Sequence, residues 1–481
     1  MTAAQTTPDQ SDQFKILLLT NRDSDNVGDQ LIEASAISLI EGAMQNLGIA
    51  RNRFSIHSRA AGMITKAYMK TGDPKQIESA KKSISESDVV IFGGAPLFNY
   101  RYQLFYLRTI RTIELAQEYG VPVLFSSIGV EKYDEASEKS MELKKALALP
   151  VVRQITTRDD IDSLRKYVAG TDVSVAHVSD PAVFADIVFS PKPKAARPAP
   201  KPAPAAPTSL RARVVGALPG PVEQRLRKVL HRPKPTQTPS TVPSPAAPTA
   251  SVPERKKKIG LVVTRAGIFA DNKIDFTAGK QRQLWLDIIR DLKARGYDYH
   301  LFTTGHFADE VLLDQLVKDD KVPAGKVTFT VNSPEELHAE LSSCDGVIAY
   351  RLHASIASFA YGIPSIGLSW NFKVPYFYES VGHGDRALPV EKWTAEDIVP
   401  ALEKAMAEGV HKDEAFLMTV YETLFAGLKG VFAPGSTAKP YTYAELHTEL
   451  PRYAGTTEKD YRGKVTRKLR RTYEAYRRHA Y

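Results

Sequence analysis

A single cysteine, Cys344, stands among 481 residues, so no disulfide can close within the chain. Its place just before an apolar run, 346–350, points to a buried thiol. The first twelve residues are polar and hold no apolar signal-peptide core. No uninterrupted apolar run approaches the roughly 18 residues that span a bilayer. These absences lead us to expect a soluble, cytoplasmic protein. No His/Cys/carboxylate cluster has metal-ligand spacing, and neither a metal nor another bound cofactor is expected. Acids are nearly missing from two stretches. Between 191 and 258, fifteen Lys/Arg face two Glu, a net +13; from 459 to 481, nine face two acids, a net +7. The whole chain carries +9, which leaves −11 for the remainder. An acidic body with basic appendages argues against a nucleic-acid-binding core, because the charge sits outside the folded part.

What is present reads as a globular protein, 43% apolar and 25% charged, too long for one ordinary core. The first half alternates short apolar runs with helical patterns. Strand candidates are 15–20, 54–56, 89–92, 121–125, 154–157 and 173–175; helical stretches fall at 30–47, 74–85, 102–119, 135–149 and 160–168. Such alternation implies a parallel sheet covered by helices on both faces. The composition then changes abruptly. Sixteen of the 31 prolines lie between Pro191 and Pro253, which marks a disordered or polyproline-like linker. One piece of it, 221–230, has a helical pattern with Val222, Leu226, Val229 and Leu230 on one face.

The second half resumes the same grammar, with strands at 259–263, 299–303, 327–329, 346–350 and 365–368. Helices are expected at 281–295, 307–318 and 333–343, the last with Ser333 as N-cap and Glu336 at the capping-box position. Residues 393–427 read as closing helices. The expected architecture is α/β: two Rossmann-like domains facing across a cleft. They follow a disordered N-terminus (1–13) as residues 14–190 and 257–455, joined by the linker at 191–256. A basic tail helix (456–481) follows. Its Val465, Leu469, Tyr473 and Tyr476 form one stripe, and two readings stay open. The stripe docks on the body, or the helix lies on an anionic membrane surface.

The most informative stretch is Arg351-Leu352-His353, which follows the strand at 346–350 and opens a small-residue helix closed by Gly362 and Pro364. A cation and an imidazole at the carboxyl end of a strand, beside a helix N-terminus, make a place for a phosphorylated ligand. Lys373 lies after the next strand. Taken alone, an Arg-x-His at a strand end is more often structural than catalytic; the other segments shift that balance.

Those segments are Asn26-Val27-Gly28-Asp29, Phe92-Gly93-Gly94, Ser127-Ile128-Gly129-Val130, Arg158-Asp159, Asp180-Pro181-Ala182, and Arg351-Leu352-His353 with Gly362-Ile363-Pro364 and Lys373. In this order, at strand ends, they resemble the polysaccharide pyruvyl transferase family over residues 15–190 and 257–385. The resemblance implies a glycosyltransferase-B-like pair of domains. Phosphoenolpyruvate (PEP), bound in the cleft as co-substrate, would give its pyruvate to a nucleotide- or lipid-linked sugar as a cyclic ketal in cell-surface polysaccharide assembly. It also implies that Arg158, Arg351, His353 and Lys373 meet the donor. PEP carries about −3 charge, and several cations suit it. Ketal formation needs a proton on the methylene carbon of PEP, which histidine can deliver near neutral pH. On this reading His353 is the general acid. Arg351 and the helix start at Ser355 hold the phosphate, and Lys373 and Arg158 hold the carboxylate or departing phosphate. Asn26, Gly28, Asp29, Gly93, Gly94 and Asn99 are candidates for the acceptor side.

The chain departs from the family pattern at Ala95, where a third glycine is usual, and at Asp162, where a serine is usual. Plainer roles compete for several of these residues. Gly28 could adopt a positive φ with Asp29 capping the next helix, Asp159 could cap its own helix, and Asp180-Pro181 could be a structural corner. Two other functions remain open. One is a glycosyltransferase of the same architecture using a nucleotide sugar, which would want an acid near the ribose; residues 351–373 contain none. The other is a non-catalytic scaffold, with the basic linker and tail as its contacts, including peripheral contact at the inner face of a membrane.

Overall fold

Apolar runs without alternation need cover on both faces, and a parallel sheet between helices supplies it. The computed structural model describes residues 13–98 apart from Asp23, 105–190 and 255–479. The N-terminal dozen, the proline-rich linker with its helical candidate at 221–230, and Asn99 lie outside these.

The first sheet has six parallel strands in the order β2-β1-β3-β4-β5-β6. They are β1 (Phe14–Thr20), β2 (Phe54–Ala60), β3 (Val89–Gly93), β4 (Val123–Ile128), β5 (Val152–Thr157) and β6 (Ser174–His177). The second is also parallel, ordered β11-β10-β9-β7-β8. It comprises β7 (Lys258–Val262), β8 (Asp298–Phe302), β9 (Gly346–Ala349), β10 (Ser365–Leu368) and β11 (Ala387–Leu388). In each sheet the first strand lies inside the order, so the chain reverses direction beside it. These switch points, β1/β3 and β7/β9, open a crevice at the carboxyl ends of the strands. Asn26 follows β1 and Arg351 follows β9, so the topology brings both motifs to a crevice edge.

A helix layer joins the sheets. α1 (Val27–Asn46) and α2 (Leu352–Ala360) pack against each other and against the 3-10 turn Pro181–Phe184, in one apolar cluster that draws on both halves of the chain. α3 (Glu414–Phe432) crosses back to the first half: it packs on α1, β4 and β5, and the Gln154 side chain donates to the Thr423 carbonyl at 2.9 Å. Of the expected closing helices, only Ala395–Glu408 therefore stays with the second sheet. α3 is also the one helix among the described residues long and apolar enough to cross a membrane. Here its Leu417, Tyr421, Leu424 and Leu428 are core residues.

One sequence expectation fails here, and the tail settles onto the body. Residues 327–329 are not a strand: Val327 makes one bridge to Leu301, and Phe329 is exposed. Thr328 N–H still donates to the Leu301 carbonyl at 2.9 Å, but the pairing with β8 goes no further. The tail helix α4 (Glu458–His479) docks on the body; of its stripe Val465 is half-buried, and the side chains of Tyr473 and Tyr476 lie outside the described residues. Leu469 is 64% exposed, whereas Lys464 and Lys468 are buried. Lys468 Nζ donates to Glu310 at 2.5 Å and to the Val331 carbonyl at 3.0 Å. Tyr461 donates to Glu336 at 2.8 Å, and Arg471 pairs with the buried Asp25. An acidic body selects the cationic face of this helix. Cys344 is buried as expected, and burial raises its thiol pKa.

Candidate active site

The start of α1 lies against the start of α2. Asn26 caps α1, its Oδ1 accepting from Gly28 N–H at 3.2 Å, so its amide nitrogen faces away and lies 2.9 Å from His353 Nδ1. An amide nitrogen can only donate, which makes Nδ1 the acceptor and leaves the proton of a neutral imidazole on Nε2. That Nε2–H is buried and has no partner among the described residues. Burial first, and then the positive charges of Arg158, Lys373 and Arg351, hold the His353 pKa well below its ordinary value.

Gly28 has no positive φ. It is glycine because of His353: a Cβ there would sit 2.2 Å from the His353 Cβ and 2.5 Å from Nδ1. Gly28→Ala should therefore push the two helix starts apart, at a cost of roughly 1–3 kcal/mol as for other overpacked contacts. A denaturation midpoint unchanged by this substitution would mean that the two starts do not touch this closely in solution. Asp29, the residue expected as a possible cap, is instead a buried acid in the first turn. Burial raises its pKa, against the pull of Ser24, Asn21, Arg158 and Arg351.

Arg351 is the N-cap residue of α2, and its guanidinium is not free. Nε and Nη2 donate at 2.7 Å each to Asp309, which is fully buried in the first turn of α5 (Phe307–Lys318). Asp309 also accepts from the backbone N–H of Arg265 at 2.9 Å. His306 caps the same helix, and burial pushes its pKa down to about 4. The other guanidinium, Arg158, follows β5 and pairs with buried Asp180. Asp180 in turn accepts from Ala182 N–H at 2.9 Å at the 3-10 turn. Its loop is held by Ser127, whose hydroxyl donates to the Ser179 carbonyl at 2.5 Å. Ser127 takes φ 54° where the β4/β5 register slips, a left-handed conformation that is strained for a serine.

Lys373 begins α6 (Lys373–Ser380) beside a narrow crevice of about 10 Å³. Arg158, Asp159, Asp180, Leu352 and Phe377 line the crevice with it. Burial lowers the Lys373 pKa; Asp159 opposes the shift and Arg158 adds to it.

Arg158, Arg351, His353 and Lys373 thus come together, with Asn26, Gly28 and Asp29 beside them. Three expected residues lie elsewhere. α2 begins at Leu352, so Ser355 is a full turn inside the helix, and it is buried. Gly93 and Gly94 let β3 meet α1: a Cβ on Gly94, at φ 61°, would fall 2.2 Å from Ile32. The cap of the helix after Arg158 is Asp160, not Asp159, which accepts from Val130 N–H at 3.2 Å. Asp162 points to solvent and pairs with Arg165, so its charge stays out of the crevice. Asp180 is both the corner expected from Asp-Pro and a partner of Arg158. Asp309 gave no sequence signal, because an acid in a first helical turn ordinarily means only a favourable helix dipole.

Comparison with known proteins bears on the family and the fold. The sequence profile described as "Polysaccharide pyruvyl transferase" matches residues 26–371. No curated protein matches the chain at a significant level. Among solved structures, the chain resembles a Listeria monocytogenes protein assigned as a UDP-N-acetylglucosamine 2-epimerase, at TM-score 0.51 and 9% identity over 89% of this chain and 99% of that one. A Methanocaldococcus jannaschii UDP-GlcNAc 2-epimerase aligns at TM-score 0.47 and 12% identity, over 87% and 99% of the two chains. At such identities the likeness concerns the fold, which is glycosyltransferase-B-like. The profile match covers most of the chain, from the Asn26 cap to just beyond β10, and the chain belongs to the polysaccharide pyruvyl transferase family.

Proposed function

We propose that the protein transfers pyruvate from PEP to two hydroxyls of a sugar, forming a cyclic ketal and releasing phosphate. The observation that carries this reading is the unpartnered His353 Nε2–H, surrounded by Arg158, Arg351 and Lys373. PEP brings about −3 charge to these cations; Arg351 and Arg158 keep their pairs with Asp309 and Asp180, so it is their remaining N–H donors and the Lys373 ammonium that suit its phosphate and carboxylate. Neutralising the cations raises the His353 pKa, so the imidazole gains the proton that it then gives to the methylene carbon. The central carbon becomes oxocarbenium-like and takes a sugar hydroxyl. Phosphate leaves, a neighbouring hydroxyl closes the ring, and the hydroxyl protons pass to the imidazole and the departing phosphate. The acceptor is a nucleotide- or lipid-linked sugar of a cell-surface polysaccharide.

A nucleotide-sugar glycosyltransferase would want a free acid for a ribose. Asp309, the acid nearest the Arg351 guanidinium, is fully buried and bonded to Arg351 and Arg265. We therefore favour the smaller, more anionic donor. The test is phosphate release from PEP over a panel of sugar acceptors, with product masses checked for the gain of pyruvate less water. Acceptor-dependent turnover with a UDP-sugar and none with PEP would overturn the reading.

A further inference from the structure

A cavity larger than the crevice at Lys373 lies elsewhere, with no lining residue in common. It opens between α1 and the tail helix α4, has a volume of about 260 Å³, and is lined by Arg22, Glu33, Asn332, Thr456, Lys464 and Arg467 among others. Lys464 is 1% exposed, and its ammonium has no hydrogen-bond partner among the described residues. Lysine is almost never buried unless paired, and three unmet N–H donors on a charged group are costly to keep from water. Arg467 Nε is likewise buried without a partner, as is Asn332 Oδ1.

The acids nearby do not answer these cations. Glu33 is 3.5 Å from Arg22 and accepts from Ser58 at 2.5 Å. Asp460 is bonded to Thr457 at 2.7 Å, and Glu310 to Lys468 at 2.5 Å. Burial, reinforced by Lys468 and Arg467, lowers the Lys464 pKa to about 7, while Glu310 and Asp29 oppose the shift. Asp29 also acts on His353's neighbours Arg158 and Lys373, so one buried acid lies within electrostatic reach of both cavities.

We propose that this cavity is a second anion site, which takes the phosphate or diphosphate joining the acceptor sugar to its carrier. Its size suits a sugar diphosphate better than the small crevice does. Lys464 supplies a point charge, Arg467 a directional donor, and Thr456 and Thr457 flank them. Lys464 and Arg467 lie beyond the residues matched by the family profile, so the site belongs to this chain's own tail. The word acceptor rests on the transferase reading; the anion site does not.

The probe is inorganic pyrophosphate, titrated calorimetrically into the full chain saturated with PEP. We expect one pyrophosphate per chain, with a buffer-dependent heat at pH 8 as Lys464 takes up a proton. Lys464→Met and Arg467→Met should each weaken binding at least tenfold, and Lys464→Arg should retain part of it. No heat with the unaltered chain, or equal affinity in both Met variants, would overturn the site. UDP and farnesyl diphosphate, titrated in the same way, separate the carriers: the one that displaces pyrophosphate names the source. Displacement by neither would overturn the carrier assignment. PEP affinity is measured alongside. Absence of PEP binding with Lys464-dependent pyrophosphate binding intact would sink the donor reading and leave this one standing.

Discussion

Alanine in place of His353 is expected to lower turnover by about 10²–10⁴-fold, the range for loss of a positioned general acid. His353→Gln keeps an N–H for hydrogen bonding but cannot transfer a proton, so it should be no better. The pH dependence separates this role from a packing one. In the empty site the imidazole is neutral, because burial and three cations depress its pKa below 6.5. PEP binding reverses the electrostatic part of that shift, so binding takes up a proton. PEP affinity should therefore rise as pH falls from 8 toward 6, and in His353→Ala the slope should be shallower by one proton. Lys373 and Asp29, whose pKa values are also displaced, add their own slopes in both proteins. An identical slope in the two would mean that His353 does not take up the proton.

Asp309→Ala should be the most destabilising single change at the site. It strips the bidentate partner from Arg351, whose side chain is 13% exposed, and leaves that charge in a largely buried position. Removing one member of a buried ion pair costs about 3–5 kcal/mol. Arg351→Met should cost a similar amount, by stranding Asp309. The double change Asp309→Leu with Arg351→Met should recover much of the loss, because an apolar pair asks for no solvation. Urea denaturation of the unaltered chain, Asp309→Leu, Arg351→Met and the double variant reads the coupling. Single variants within about 0.5 kcal/mol of the unaltered chain would show that the pair contributes no more than a surface bridge.

Much of the scaffold was legible because its signals are local. Buried parallel strands are continuous apolar runs, so β1, β3, β7 and β9 stand out, and helix α1 follows its run with Gly48 as its stop. The Arg-Leu-His motif was legible too, since its position after β9 is itself a sequence property. What was not legible depends on partners distant in sequence. Whether 327–329 becomes a strand depends on how far it pairs with β8, and it makes a single bridge there. Which face of α4 docks depends on the charge of the surface that receives it: Lys468 went inward because Glu310 and the Val331 carbonyl were waiting. The amphipathic pattern of the helix left its docking face open.

Periodicity and composition were enough to specify the two sheets and the acidic body with its basic tail; the set of cations came from the motifs that resemble the family. Both kinds of signal act over a few residues. How the cations are held is a matter of the folded chain. Arg351 meets an aspartate 42 positions before it, Arg158 meets Asp180, and His353 takes its tautomer from Asn26, 327 residues away. Such pairs form where two sheets turn their switch points toward one crevice, and their partners are chosen by distance in space, which no local pattern records.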